Sequence, residues 1–232
     1  MAQTTVKANG GTFEAYVAKA KAAPAPGLLL IQEIFGVNQT MRQLADDLSL
    51  LGYTVVCPDI FWRIQPGIQL NTYSPDEWKQ AFGLFQKFDA DKGVEDLKAT
   101  LAHMRQMPEI AGKKVGTVGY CLGGKLAYLM AARSNADCNV SYYGVGIQDL
   151  LGEAKNIKKP YLMHIAGKDQ FVPPEAQAKI QAGLKGNSLV TVHLYPEQDH
   201  AFARVGGDHY DKDAAATAND RTAAFLKQHL SN

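Results

Sequence analysis

The stretch that most constrains this chain is Val118-Gly119-Tyr120-Cys121-Leu122-Gly123-Gly124. Val115 and Val118 mark a strand over residues 114–118, and Leu122, Leu126, Leu129 and Met130 recur at helical spacing over residues 122–132. Between them, Gly-x-Cys-x-Gly sets a thiol on a sharp strand-to-helix turn, the Gly-x-Ser-x-Gly nucleophile pattern with sulfur for oxygen. Such a turn brings backbone against backbone, and Gly119 and Gly123 leave the room because they carry no Cβ. The following helix would aim its free N–H groups and positive dipole end at Cys121. That favours a thiolate and puts the Leu122 N–H where an oxyanion could bind. A free cysteine titrates at about 8.5, so Cys121 still needs a base. A buried cysteine is also a common small core residue, so partners elsewhere in the chain must decide.

The rest of the chain alternates strands with helices. Asn9-Gly10-Gly11 predicts a hairpin between residues 4–7 and 12–18. A strand over 27–32 ends in Gln32-Glu33-Ile34-Phe35-Gly36. Asn38 caps a predicted helix to Leu51, with Met41, Leu44, Ala45, Leu48 and Leu51 on one face and Gly52 closing it. Strand 53–57 follows, then a loop over 61–73. Ser74-Pro75 opens a helix carrying Trp78, Phe82, Phe85 and Phe88, and residues 92–106 form another. Strands are expected over 139–143, 160–166 and 189–195, and helices over 174–184 and 213–230. This order predicts an α/β fold with a mainly parallel sheet of about 7–8 strands, helices on both faces, and an antiparallel N-terminal hairpin. No linker interrupts it, so residues 1–232 are expected to form a single domain.

Composition excludes several classes. A net charge of +1 over 232 residues makes no electrostatic case for nucleic acid or a membrane surface. No apolar run approaches a transmembrane span, and the N-terminus has no signal-peptide core. Three widely spaced cysteines suggest neither a disulfide framework nor a metal site, which fits a reducing cytoplasm.

In a parallel sheet, sites form beyond the carboxyl ends of the strands. Glu33, Cys121, Asp169 and His200 are all expected there. Nucleophile, acid and base in that chain order is the order of the α/β-hydrolase fold. His200 would take the Cys121 proton and later return it to a leaving group. Asp169 would hold the imidazole tautomer. His164 and His193 compete from within strands, His103 and His229 from helices, and His209 from a late loop. Asp149 and Asp199 compete with Asp169.

Gln32-Glu33-Ile34-Phe35-Gly36-Val37-Asn38, Cys57-Pro58-Asp59, Gly119-Tyr120-Cys121-Leu122-Gly123-Gly124, Tyr142-Tyr143-Gly144, Phe171-Val172-Pro173 and His200-Ala201-Phe202-Ala203-Arg204 together resemble the dienelactone hydrolase family. The match spans almost the whole chain in order. The resemblance implies an α/β-hydrolase fold without a large lid, and a Cys121–His200–Asp169 triad. It implies that Glu33 lies beside the thiol and helps deprotonate it when substrate binds. It makes the Ile34 and Leu122 N–H groups the oxyanion hole and Arg204 the ligand of a substrate carboxylate. Phe35, Trp78 and Phe82 would line the substrate. The family has an arginine, a tyrosine and a tryptophan where this chain has Trp78, Phe82 and Phe85, and a serine where it has Ala201. The pocket wall is therefore expected to be more apolar and less cationic.

The expected activity is hydrolysis of a small ester or lactone carrying a carboxylate, as in aromatic degradation, by a monomer without metal or organic cofactor. Three readings stay open beside it: a general small-ester hydrolase, a redox-active thiol protein, and a non-catalytic binding protein on the same scaffold.

Overall fold

The computed structural model describes residues 2–231. Its contacts form two compact units, which meet in sequence between Thr117 and Val118. The first holds β1 (Ala2–Ala8), β2 (Gly11–Ala18), β3 (Gly27–Ile31), α1 (Gln39–Leu50), β4 (Thr54–Pro58), α2 (Pro75–Lys87), α3 (Ala90–Met104) and the start of β5 (Val115–Tyr120). The second holds the end of β5, α4 (Leu122–Arg133), β6 (Asn139–Tyr142), β7 (Tyr161–Ala166), α5 (Pro174–Leu184), β8 (Val190–Tyr195) and α6 (Lys212–Leu230).

In the first unit the strand order is β1-β2-β4-β3, and in the second it is β5-β6-β7-β8. β1, β2 and β4 pair antiparallel in turn, with Val6 opposite Phe13 across the hairpin. β3 pairs parallel with β4, and β6, β7 and β8 pair parallel with one another. Every residue of β3, β4, β5, β6 and β7 is buried, so both faces of these strands are covered. That is why β3 and β7 read as largely apolar runs rather than alternations. β1 and β8 keep exposed positions, as edge strands do.

Local chemistry sets the helix ends. Asn38, Ser74, Asp89 and Asp211 each accept a first-turn N–H with the side chain. The Asp89 cap starts α3 two residues earlier than its apolar spacing suggests. Leu51 leaves the apolar face assigned to it. It is the C-cap of α1 and 60% exposed, and Gly52 turns the chain at φ +95°. β5 runs through Tyr120, two residues past the expected end, so the bend falls on Cys121 itself. Two short 3-10 turns, Ile147–Asp149 and Leu151–Asn156, follow Gly144 and Gly146 after β6. The irregular 61–73 loop is tied down by Asp59, which accepts the Phe61 and Gly67 N–H groups, and by Asp96, which takes Trp62 and Arg63. Among the described residues no helix is long and apolar enough to cross a membrane.

Candidate active site

The turn at the end of β5 has almost no spare space. A Cβ on Gly119 would lie 1.9 Å from the Gly123 carbonyl oxygen, and one on Gly124 would lie 2.5 Å from the Tyr142 oxygen. Cys121 adopts φ 55°, ψ −114°, a left-handed conformation costly for a residue with a Cβ. Its N–H donates to the Tyr142 carbonyl at 3.0 Å, and its carbonyl accepts Lys125 N–H at 3.1 Å. The sulfur is thereby held at the N-terminus of α4. There Leu122 supplies a first-turn N–H that has no acceptor within the helix.

Asp169 and His200 come from the loops after β7 and β8. These loops are joined by Gly167 N–H to Tyr195 O and Lys168 N–H to Gln198 O, both 2.8 Å. Gly167 is needed for this approach, since its Cβ would meet the Pro196 oxygen at 2.5 Å. The result is a 2.7 Å hydrogen bond between His200 Nδ1 and Asp169 Oδ2. Asp169 Oδ1 accepts the Phe171 N–H at 2.8 Å, which fixes the carboxylate. The competing acids are occupied elsewhere. Asp199 accepts the His200 backbone N–H and pairs with His209, and Asp149 takes the Gln148 amide. With Nδ1 committed to Asp169, Nε2 is the nitrogen left for Cys121, to which the imidazole is hydrogen-bonded. Cys121, His200 and Asp169 are all buried, at 8%, 6% and 3% exposure.

Burial pushes the His200 imidazole down, but Cys121 and the hydrogen bond to Asp169 outweigh it. Together they raise the imidazole from 6.5 to about 10. The sign is that of a group gaining acidic partners: His200 stays protonated between 6.5 and about 10, where an ordinary imidazole is neutral. We expect the His200 ring resonances to titrate near 10, and the midpoint to fall in Cys121→Ser. A wild-type midpoint near 6.5, read by NMR, would overturn this assignment.

Sequence reasoning gave no role to two rings that hold the imidazole. Phe171 and Tyr143 stand edge-on to His200, with centroids 4.9 and 5.2 Å away. Their signal was present, since both belong to the motifs that carry the family resemblance. Tyr143 (φ 37°) and Ala201 (φ 64°) share with Cys121 the left-handed conformation, and no other described residue besides glycine does. The remaining histidines go elsewhere. His103 bonds Thr4, His229 packs on Phe225, and His164 and His193 stack at 5.9 Å.

Arg204 is buried at 9% exposure, unlike a solvated loop charge. Its backbone N–H returns to Ala201 O at 2.9 Å, so it sits on the turn that carries His200.

In the first unit, Glu33, Ile34 and Phe35 follow β3 and are all buried. Gly36 (φ +78°) lets the chain close on the 68–70 segment; its Cβ would lie 1.9 Å from Ile68 O. Leu70 N–H donates to Phe35 O, and the Asn38 amide donates to Leu70 O, both at 2.9 Å. Phe35 meets Trp78 edge-on at 4.8 Å, and Trp78 meets Phe82 at 5.6 Å. The Trp78 Nε1–H donates to Thr72 O at 2.8 Å, which fixes the indole. These three rings form one aromatic cluster with no charged member.

The family model for the dienelactone hydrolase family matches residues 13–230. A relative from Azospirillum brasilense is 53% identical over 221 residues, covering 95% of each chain. The carboxymethylenebutenolidase of Pseudomonas putida is 44% identical over 218 residues, 94% of this chain and 92% of that one. A solved structure from Klebsiella pneumoniae subsp. pneumoniae MGH 78578 superposes with a TM-score of 0.86 at 26% identity, covering 98% of both chains.

Proposed function

Because the chain belongs to the dienelactone hydrolase family, with its α/β-hydrolase fold, and is a hydrolase of carboxylic ester bonds, we propose that Cys121 is its nucleophile and a small carboxylated lactone of the dienelactone type its substrate. The observation that carries this reading is the buried chain of hydrogen bonds Cys121–His200–Asp169 at the N-terminus of α4.

In the resting pair the Cys121 proton lies on His200, and Asp169 stabilises the imidazolium. The thiolate attacks the lactone carbonyl, and the oxyanion is met by the Leu122 N–H. The acyl C–O bond breaks, and the leaving oxygen takes the proton from His200. The acyl group is then a thioester on Cys121. His200, now neutral, takes a proton from water, whose oxygen attacks the thioester. The acid leaves and the thiolate is regenerated beside His200, which keeps that proton. These steps use no metal or organic cofactor.

Glu33, Ile34, Phe35, Trp78 and Phe82 enter this proposal from the sequence resemblance: Glu33 to assist deprotonation of the thiol, Ile34 as a second oxyanion donor, the aromatic residues as an apolar wall. Arg204 would receive the substrate carboxylate through paired N–H bonds. The same reading makes residues 1–232 one catalytic domain, supported by a family match that runs unbroken over 13–230. It also carries the expectation of a cytoplasmic monomer acting in aromatic degradation.

Steady-state hydrolysis of a carboxylated dienelactone against a neutral ester of similar size tests this. The lactone should be preferred. Arg204→Ala should lower its kcat/KM by about 10- to 100-fold while sparing the neutral ester, as loss of a charged hydrogen-bonding partner does. Equal turnover of both substrates, indifferent to Arg204→Ala, would replace the lactone with the second reading, a general small-ester hydrolase. The uncharged Phe35–Trp78–Phe82 cluster is what favours that reading.

A further inference from the structure

Behind the triad, a line of polar side chains, buried at Tyr195, His164, Thr222 and Tyr142 and exposed at Arg221 and Asn219, crosses from α6 to β6, β7 and the end of β8. Arg221 Nη1 lies 3.1 Å from the Tyr195 hydroxyl, which lies 2.9 Å from His164 Nδ1. His164 Nε2 is 2.9 Å from Thr222 Oγ1, which is 2.6 Å from the Tyr142 hydroxyl. That hydroxyl reaches Asn219 Oδ1 at 3.0 Å and Ala218 O at 3.1 Å. Tyr142 and His164 are fully buried, and Thr222 is 4% exposed.

The donors in this line can be assigned. Arg221 only donates, so the Tyr195 oxygen accepts from it; Ala218 O only accepts, so the Tyr142 proton leaves the line there, and the assignment that satisfies every bond turns the Tyr195 proton toward His164 Nδ1. His164 then carries its proton on Nε2 and donates to Thr222. Thr222 donates to Tyr142, and Tyr142 donates to Asn219 or Ala218. Every proton points the same way, and the imidazole stays neutral, because burial, His193 and Arg221 push it down to about 3. Thr222 is the one member that must both accept from His164 and donate to Tyr142.

Both residues it joins hold the reacting groups. The Tyr142 carbonyl accepts the Cys121 N–H at 3.0 Å, and the His164 carbonyl accepts the Tyr143 N–H at 2.8 Å. Tyr143, in its left-handed conformation, stands edge-on to His200. We propose that Thr222 is a positioning residue: its hydroxyl bridges Tyr142 and His164 and so sets the alignment of Cys121 with His200. This rests on the reading of Cys121 as nucleophile and His200 as its base.

The test compares Thr222→Val with Thr222→Ser. Thr222→Val keeps the shape but leaves the His164 Nε2–H without an acceptor. It should lower kcat by about 10- to 100-fold at nearly unchanged KM, the effect of a small misplacement of reacting groups. The pH profile for alkylation of Cys121 by iodoacetamide, followed on the Cys121 peptide, should shift with it. Thr222→Ser restores both. Wild-type kcat and alkylation profile in folded Thr222→Val would overturn the proposal, as would Thr222→Ser losing as much as Thr222→Val. If Thr222→Val does not fold, Tyr195→Phe removes the donor to His164 and should give a smaller loss of the same kind; wild-type behaviour there would also overturn it. Alkylation needs no ester, so a wild-type enzyme that turns over no ester but shows the predicted alkylation profiles refutes the hydrolytic reading and not the positioning role.

Discussion

Cys121→Ala is expected to lower kcat/KM on the carboxylated lactone by about 10⁴-fold or more, the effect of removing the proposed nucleophile. Cys121 is the residue at which the N-terminus of α4, the hydrogen bond to His200 and the Gly119–Gly123 approach meet. Cys57 is no substitute. It is fully buried, and burial together with Asp59 pushes its thiol well above the ordinary range. His200→Ala should cost nearly as much, and the double variant little more than either, since groups acting in one step do not contribute additively. Asp169→Asn should cost less, because it removes the orienting charge and leaves the imidazole in place. Steady-state kinetics on the four variants checks all of this. Turnover unchanged in Cys121→Ala would sink the covalent mechanism.

Gly119→Ala is expected to cost about 3 kcal/mol or more of folding stability. The added methyl would lie 1.9 Å from the carbonyl oxygen of Gly123 and 2.4 Å from its carbon. Both atoms are backbone in the first turn of α4, so no side-chain rotation relieves the contact. A matched control is Gly83→Ala, in the half-buried middle of α2, where a Cβ meets nothing within 4 Å. There the change should stabilise by up to about 1 kcal/mol, as alanine replaces glycine in a helix. Denaturant unfolding of the two variants beside wild type gives the comparison. Equal midpoints for Gly119→Ala and wild type would mean that the turn is not built as described.

Much of this arrangement could be read from the chain. β3 reads as an apolar run, and caps such as Asn38 and Ser74 lie where their side chains accept first-turn N–H groups. The Asp169–His200 bond was also anticipated, because each residue directly follows a strand or its short loop. What escaped reading depends on contacts distant in sequence. Phe171 and Tyr143 hold the imidazole through ring edges, which no local pattern encodes. His164 reads as an ordinary strand residue until Thr222, 58 residues later, is placed against its Nε2. Leu51 fits the α1 stripe by spacing, but the helix ends one residue before it. The 3-10 turns after β6 lack any apolar period, so only the packed chain reveals them.

The left-handed backbone at Cys121, Tyr143 and Ala201 bears on how such a protein can change. Each is about 1–3 kcal/mol less favourable than a relaxed residue. Screening for heat tolerance would therefore be drawn to glycine at Ala201, where relief is available at the loss of one methyl group; at Tyr143 it is not, because the buried ring is worth more than the strain. The Ala201 variant would melt later yet let the His200 loop wander. Thermostability and turnover pull in opposite directions at this position, so a lineage under pressure for both must gain its stability away from it.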